Sequence, residues 1–176
     1  MNEVLHGQAV TIVIGLGSNI EPRENMPRCM QELGQLVELL GVSRVYETEP
    51  VAAPGSPSFL NAAVLARTDR TPDELKAGFR DIESQLGRVR DPANKAAPRP
   101  IDIDLLLYGS QVVRDEQGEL LLPHPDLETY AYVALPLADL AADLPHPISG
   151  ASLASLADRF RDAKGVVPTD LELDLA

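Results

Sequence analysis

The stretch that decides the fold covers residues 87–109 and reads GRVRDPANKAAPRPIDIDLLLYG. It opens with two arginines, continues through a loop rich in proline and alanine, and ends in an apolar run at 101–108. Asp102 and Asp104 are the acids in that run, and because successive strand residues point to opposite faces, they share one face. The sequence therefore predicts a strand with one buried face and two carboxylates on the other.

The charged residues around this strand suggest a site for phosphates and metal ions. Two carboxylates at positions i and i+2 suit hard divalent cations, and Arg88, Arg90 and Arg99 suit phosphate oxygens, which guanidinium groups bind in a bidentate manner. The alternative is a salt-bridged strand end beside a solvated basic loop, and each residue taken alone favours it. Taken together, the acids and arginines between residues 88 and 104 favour a metal and phosphate site, because neighbouring like charges on an apolar strand are costly without a cation.

Length and composition indicate one domain over 1–176, with a core at about 9–162 and an acidic C-terminal tail at 169–176 that we expect to be frayed. The single cysteine, Cys29, excludes an internal disulfide, and its helical spacing suggests core packing rather than nucleophilic chemistry. No apolar run approaches a membrane span, and the N-terminus lacks the pattern of a signal peptide. We therefore expect a cytoplasmic monomer that does not bind membranes.

The net charge of −12 argues against a nucleic-acid partner, because such proteins carry a basic face. Against this acidic background, the basic residues between 88 and 99 form a local positive cluster. That contrast predicts an anion site.

The remaining elements follow from hydrophobic spacing and turn signals. They are a strand at 9–16 closed by a turn at 15–19, a helix from Asn25 with Pro27 in its first turn and Gly41 as its stop, strands at 42–51 and 59–66, a helix capped at Thr71, a hairpin at 111–122, a helix at 127–142 interrupted by Pro136, and a short helix at 152–161.

The order strand, helix, strand, strand, helix, strand predicts an α+β fold with a ferredoxin-like βαββαβ core and a mainly antiparallel sheet. Asn61 lies inside the apolar strand at 59–66, where an amide needs hydrogen-bond partners. Neighbouring backbone could supply those partners, or the amide could bind the polar edge of a heterocycle, and the two interpretations are equally weighted.

Several segments together resemble a known family. They are GLGSN at 15–19, YETEPV at 46–51, FLNA at 59–62, GRVR at 87–90, PRPIDID at 98–104 and PHP at 123–125. The chain resembles the 6-hydroxymethyl-7,8-dihydropterin pyrophosphokinases of the folate pathway, over roughly residues 10–160. The resemblance implies an α/β/α three-layer sandwich and transfer of the pyrophosphoryl group of ATP to the hydroxymethyl oxygen of the dihydropterin, giving AMP and the pterin diphosphate.

The resemblance also implies a set of site residues. Asp102 and Asp104 would hold two Mg²⁺ ions, and Arg88, Arg90 and Arg99 would meet the phosphates beneath a mobile lid at 90–98. Contacts with the pterin are implied for Thr48, Pro50, Val51, Phe59, Asn61 and Tyr132. Contacts with ATP are implied for Glu83, Arg90, Arg99, Ile103 and His124.

The sequence departs from the family pattern in three places. Lys95, Ala96 and Ala97 stand where an aromatic residue and a glycine are frequent, Tyr130 stands in place of a common arginine, and the pterin loop has Ala52 and Ser56. These departures could change the affinity for ATP and one aromatic surface that stacks on a ligand. The two acids, Asp102 and Asp104, and the arginines match the family pattern.

Three alternative functions stay open from the sequence. The chain could be a ferredoxin-like regulatory module that binds a ligand, another metal-dependent phosphotransferase or hydrolase, or a pterin binder without catalytic activity. Formation of AMP from ATP, with and without the pterin, would distinguish all of them.

Overall fold

The computed structural model describes residues 9–49, 55, 57–90, 93 and 97–175. The elements in chain order are β1 (Val10–Ser18), α1 (Pro22–Leu36), β2 (Glu38–Val42), β3 (Tyr46–Thr48), β4 (Phe59–Thr68), α2 (Pro72–Gln85), β5 (Asp102–Tyr108), β6 (Val113–Arg114), β7 (Leu120–Leu122), α3 (Asp126–Thr129), α4 (Ala131–Ala141), α5 (Leu153–Ala157), a 3₁₀ turn (Asp158–Phe160) and β8 (Val166–Pro168).

The main sheet has the order β5-β1-β4-β3-β8, with β2 also pairing β4. All of these pairings are antiparallel, and β6 and β7 form the predicted hairpin as a separate small sheet. One face packs against α1 and α2, and the other packs against α3, α4 and α5. The predicted α/β/α arrangement around a ferredoxin-like core is confirmed.

Strand β5 has the alternation that its sequence predicts. Ile101, Ile103 and Leu105 are buried in the core beneath α1 and α2, whereas Asp102 is half-buried and Asp104 is exposed. The buried row fixes the register of the strand, because a slip of one residue would bury both acids.

The predicted turn at 15–19 is wrong, because β1 continues through Ser18. Its glycines serve close packing within the sheet. A Cβ on Gly15 would lie 3.1 Å from the Leu106 side chain, and a Cβ on Gly17 would lie 3.1 Å from Oδ1 of Asn61. Both glycines therefore make room for side chains of neighbouring strands.

The first helix also differs from the prediction. It begins at Pro22, so Pro27 lies beyond the first turn, and it ends at Leu36. Leu40 and Gly41, which we expected in and after this helix, belong to β2. Leu40 is 41 % exposed, so its helical spacing was coincidental, and pairing with β4 decides the conformation.

The helical region after the hairpin is interrupted at a different residue from the predicted one. Pro136 lies inside α4 and is buried, whereas Tyr130 separates α3 from α4 with an extended backbone. The expected frayed tail is also wrong for its described part. The backbone N–H of Thr169 donates to the carbonyl of Val45 at 2.8 Å, and Leu173 is buried in the core with Leu171 packed against it.

Two further expectations are confirmed locally. Thr71 and Glu74 form the predicted capping box at the start of α2, and Cys29 is buried in the core. Burial raises the pKa of the Cys29 thiol, which disfavours the reactive thiolate. Within the described part of the chain, no helix has the length and apolar character needed to cross a membrane.

A partly buried ion-pair network joins β3 to α4. The Asp139 carboxylate accepts a hydrogen bond from the Tyr46 hydroxyl at 2.6 Å and two from the Arg44 guanidinium at 2.8 Å each. Partial burial acts to raise the pKa of Asp139, but the hydrogen bonds from Arg44 and Tyr46 outweigh it and lower that pKa. The network therefore stabilises the fold only while Asp139 is ionised.

We expect Asp139→Asn to lower the free energy of unfolding by about 1 kcal/mol at pH 7. The loss is small because Arg44 is largely exposed, and solvent weakens its charge-assisted hydrogen bonds to Asp139. A lowered pKa means that this contribution is present above the unfolded-state value of about 3.9 and is lost as the pH falls below it. Urea denaturation at pH 7 and pH 3 measures this difference.

Glu38→Gln, which breaks the exposed pair with Arg67, is the matched control and should change stability by less than about 0.5 kcal/mol. A deficit of Asp139→Asn that persists unchanged at pH 3 would contradict the role of the ionised carboxylate.

Candidate active site

The site lies on the sheet face opposite α1 and α2, across three adjacent strands. Gly17 of β1 is directly opposite Asp102 of β5 on one side and Asn61 of β4 on the other. Directly opposed residues of antiparallel strands share a face, so the acid and the amide stand about 10 Å apart with a glycine between them. We refer to this part of the sheet face as the slot, with Asp102 and Asp104 as its acidic wall, Gly17 as its floor and Asn61 as its amide wall.

The Asp102 carboxylate is held by two arginines, one on each oxygen. Arg88 donates from Nη1 to Oδ1, and Arg99 donates from Nη1 to Oδ2 at 2.6 Å. Burial acts to raise the pKa of Asp102, but these guanidinium groups lower it below its usual value. Two arginine guanidinium groups therefore supply positive charge at Asp102.

Glu83 is the buried acid behind the arginines. Its side chain is 2 % exposed, and it accepts hydrogen bonds from Arg88 at 2.6 Å, from Arg90, and from the backbone N–H of Ile103 at 2.9 Å. A buried carboxylate with this many partners orients them. In this arrangement Glu83 holds both arginines next to β5. The direct contacts of Glu83 and Ile103 with ATP that the resemblance implies stay predictions.

Asp104 has the opposite electrostatic character. Partial burial, followed by the negative charges of Asp102, Glu83 and Asp126, raises the pKa of Asp104 to about 7. Solvent still reaches the side chain, and repulsion from the neighbouring acids adds to the effect of burial. An added cation would therefore stabilise the ionised carboxylate of Asp104 more than that of Asp102, which the arginines already neutralise.

The charges of the acids act on both His124 and Tyr132, whereas contacts of His124 with ATP and of Tyr132 with the pterin stay predictions. The backbone N–H of His124 donates to the carbonyl of Leu106 in β5 at 2.9 Å, which ties the segment after the hairpin to the site. Burial lowers the pKa of His124, so the ring is neutral at pH 7. Burial raises the pKa of Tyr132, and the charges of Asp126, Asp104 and Asp102, together with Tyr130, raise it further.

The amide wall also has the predicted members that the structure describes. Asn61 donates from Nδ2 to the Thr48 hydroxyl at 2.9 Å, and the Arg99 guanidinium lies 5.7 Å from the ring centre of Phe59. Arg99 therefore touches both walls of the slot. Pro50 and Val51 lie outside the described residues, as does most of the expected lid at 90–98, of which only 90, 93, 97 and 98 are described.

The donor set is suited to Mg²⁺ that is shared with a phosphate ligand. Over the described residues, no group of three or more acidic, histidine or cysteine side chains is arranged around one metal position. Mg²⁺ commonly takes one or two carboxylates and completes its shell with water and substrate phosphates. Asp102 and Asp104, on one face of β5, meet that requirement.

Two residues of this region were missed from the sequence. Asn19, 4 % exposed, accepts from the backbone N–H of Arg99 at 2.7 Å and donates to the carbonyl of Pro57 at 3.3 Å. Asp126 adds a third negative charge near Asp104. Asn19 was missed because the sequence assigned it to a turn. Asp126 was missed because it lies among other polar residues, although its position directly after the PHP segment was a usable signal.

The fold and the site together define a class of protein. A ferredoxin-like sheet with paired acids, three arginines beside them and an amide wall opposite has the features of an enzyme that transfers phosphate groups.

Comparison with known proteins identifies the family. Residues 13–142 match the family model described as 7,8-dihydro-6-hydroxymethylpterin-pyrophosphokinase (HPPK). A Haemophilus influenzae protein named 2-amino-4-hydroxy-6-hydroxymethyldihydropteridine pyrophosphokinase is 32 % identical over 158 residues, which cover 88 % of this chain and 96 % of that protein. The chain belongs to the 7,8-dihydro-6-hydroxymethylpterin-pyrophosphokinase family.

Some relatives are much longer than this chain. The folic acid synthesis protein fol1 of Pneumocystis carinii is 33 % identical over 161 residues, which are 89 % of this chain but only 21 % of that protein. The crystal structure of wild-type Plasmodium falciparum HPPK-DHPS with pteroate has a TM-score of 0.68 at 13 % identity, and the match covers 88 % of this chain and 43 % of that one. At that identity the likeness supports the fold alone.

Proposed function

We propose that this chain transfers the pyrophosphoryl group of ATP to the hydroxymethyl group of 6-hydroxymethyl-7,8-dihydropterin. The reaction class, pyrophosphoryl transfer in folate biosynthesis, is that of the family to which the chain belongs. The observation that carries the proposal is the row Asp102, Gly17, Asn61, which puts an acidic wall and an amide wall on either side of a glycine floor.

The row supports a division of the slot between the two substrates. The pterin lies over Gly17, with its polar edge toward Asn61 and Thr48 and its hydroxymethyl group toward the acids. The triphosphate lies along Arg88, Arg90 and Arg99. Two Mg²⁺ ions, held by Asp102 and Asp104, would neutralise phosphate charge and polarise the attacking hydroxyl.

The arginines and the metal ions would share Asp102. Arg88 and Arg99 each donate to one oxygen of its carboxylate, and because each carboxylate oxygen has two lone pairs, both oxygens could still bind a metal ion. The triphosphate would offer the guanidinium groups further oxygen partners.

The chemistry then requires alignment more than a strong base. The hydroxymethyl oxygen forms a bond to the β-phosphorus of ATP while the bond from that phosphorus to the α,β-bridging oxygen breaks. AMP leaves with the bridging oxygen, and the hydroxyl proton passes to solvent or to a nearby carboxylate.

The proposal is tested by following AMP formation from MgATP with and without the hydroxymethyl pterin. The proposed enzyme makes AMP only when the pterin is present. Nucleotide product formed without pterin would indicate a hydrolase. Pterin binding without AMP formation would indicate an inactive binder. The absence of both pterin binding and AMP formation would indicate a regulatory module.

Asn61→Ala should weaken pterin binding about 5- to 100-fold and leave ATP binding nearly unchanged, since an unmade buried hydrogen bond costs about 1–3 kcal/mol. Isothermal calorimetry with each ligand measures this. Asn25→Ala is the matched control, because Asn25 is also buried but bonds the Ile20 carbonyl rather than a residue of the amide wall. Equal losses for both ligands would return Asn61 to a purely structural role.

The same proposal includes the number of metal ions, the cytoplasmic location and the monomeric state. It also includes the assignment of 1–176 to one pyrophosphokinase domain. Sedimentation of the purified chain with MgATP tests the monomer, and metal titration at saturating ATP tests the two ions.

A further inference from the structure

Tyr130 and Tyr132 form a stacked aromatic pair beside the acidic wall. Their ring centres are 5.1 Å apart and the ring planes differ by 21°, which is an offset-stacked geometry of the favourable kind. Tyr130 has an extended backbone with φ −123° and ψ 131°, and Tyr132 is in the first turn of α4. The break between α3 and α4 is what brings two side chains at i and i+2 together, since these positions do not face each other within a helix.

The backbone of Tyr130 is anchored at both of its polar groups. Its N–H donates to the carbonyl of Asp126 at 3.0 Å, and its carbonyl accepts from Val133 at 3.1 Å and Ala134 at 3.0 Å. The Tyr130 ring therefore projects from a fixed point. Neither tyrosine is fully buried, so packing into the core does not account for the pair.

Backbone hydrogen bonds place the pair beside the acidic wall. The N–H of His124 donates to the carbonyl of Leu106 in β5, and the N–H of Tyr130 donates to the carbonyl of Asp126. Tyr130 covers one face of the Tyr132 ring, so the opposite face is the one on which a flat ligand could stack.

We propose that Tyr130 is a positioning residue that holds the ring of Tyr132 in the orientation in which Tyr132 stacks on the pterin. This inference rests on the proposed function, because it takes the flat ligand to be the dihydropterin. It assigns Tyr130 an effect on pterin affinity that is exerted only through Tyr132.

The test is a double-mutant cycle on pterin affinity, measured by fluorescence titration with 6-hydroxymethylpterin in the presence of a non-hydrolysable MgATP analogue. Tyr130→Ala should weaken pterin binding about three- to tenfold, the range expected from loss of one aromatic pair. Tyr130→Phe, which keeps the ring, should restore wild-type affinity, and Tyr130→Leu, which keeps apolar bulk without a ring, should not. In a Tyr132→Ala background, Tyr130→Ala should have no further effect.

Affinity for the nucleotide analogue is the second readout and should stay within about twofold of wild type for each Tyr130 variant. Phe160→Ala removes a half-buried aromatic residue outside the pair and is the control for general loosening. If Tyr130→Ala is too unstable to purify, the Phe and Leu variants carry the comparison.

The outcomes distinguish failure of the positioning role of Tyr130 from failure of the proposed function. A Tyr130→Ala effect that persists in the Tyr132→Ala background, or a Leu variant that binds pterin like wild type, would overturn the positioning role while the proposed function stands. A Tyr132→Ala variant that binds pterin normally would also overturn the positioning role. A wild-type chain that does not bind pterin in the presence of the MgATP analogue would overturn the proposed function itself.

Discussion

Asp102→Asn and Asp104→Asn proteins are expected to stay folded and to lose about a thousandfold or more in turnover. The acids are the two metal ligands of the proposed site, and metal ions supply several kcal/mol of charge stabilisation, each 1.4 kcal/mol being worth about a factor of ten. Asparagine keeps the shape of each side chain and removes its charge. AMP formation at saturating ATP and pterin, over a range of Mg²⁺ concentrations, measures the loss.

The structure predicts that the two variants differ in stability. Asp102 neutralises Arg88 and Arg99, so its replacement should lower the free energy of unfolding of the metal-free protein. Asp104 is repelled by its acidic neighbours, so its replacement should leave that free energy unchanged or raise it. Urea denaturation without metal measures both.

Asp143→Asn is the matched control, because Asp143 is exposed and lies beyond α4, away from β5. It should change neither turnover nor stability. Wild-type turnover in either site variant at ordinary Mg²⁺ concentrations would remove the metal assignment.

Glu83→Gln should lower the free energy of unfolding by about 3 kcal/mol and turnover by about a hundredfold. The first loss follows from breaking a buried ion pair with Arg88, at the lower end of the usual range because Arg90 can turn to solvent. The second follows because the arginines lose the carboxylate that orients them, and small misplacements in a site of this kind are costly. Denaturation and steady-state kinetics on the same sample measure both losses.

Glu74→Gln makes the same chemical change at the other end of α2, where the capping box can accept glutamine. It should stay close to wild type in both measurements. A Glu83→Gln protein with normal turnover, whatever its stability, would show that Glu83 does not position the arginines for catalysis.

Much of the fold was predictable because its signals are local. The alternation in β5 required only the period of a strand, and the capping box at Thr71 required only four residues. The order of elements then gave the ferredoxin-like core. The family resemblance named the acids, the arginines and Asn61, and the structure places the described ones around one slot.

The rest could not be predicted because it depends on which residues meet in space. The sequence showed arginines and acids, but not that Arg88 and Arg99 would occupy both oxygens of Asp102, or that Glu83 would be buried behind them. The end of α1 was misplaced because strand pairing outweighs the helical spacing of Leu40. Pairing of Tyr130 with Tyr132 depends on a helix break whose position the sequence placed at Pro136 instead.

The central claim is that the pyrophosphoryl group moves from ATP to the pterin in one piece. The most direct measurement uses ATP labelled with ³²P at the β-phosphorus and separates the products after one turnover with hydroxymethyl dihydropterin. The account predicts that all transferred label appears in the pterin diphosphate and that the nucleotide product is unlabelled AMP. Label recovered in ADP, or as inorganic diphosphate formed without the pterin, would contradict it.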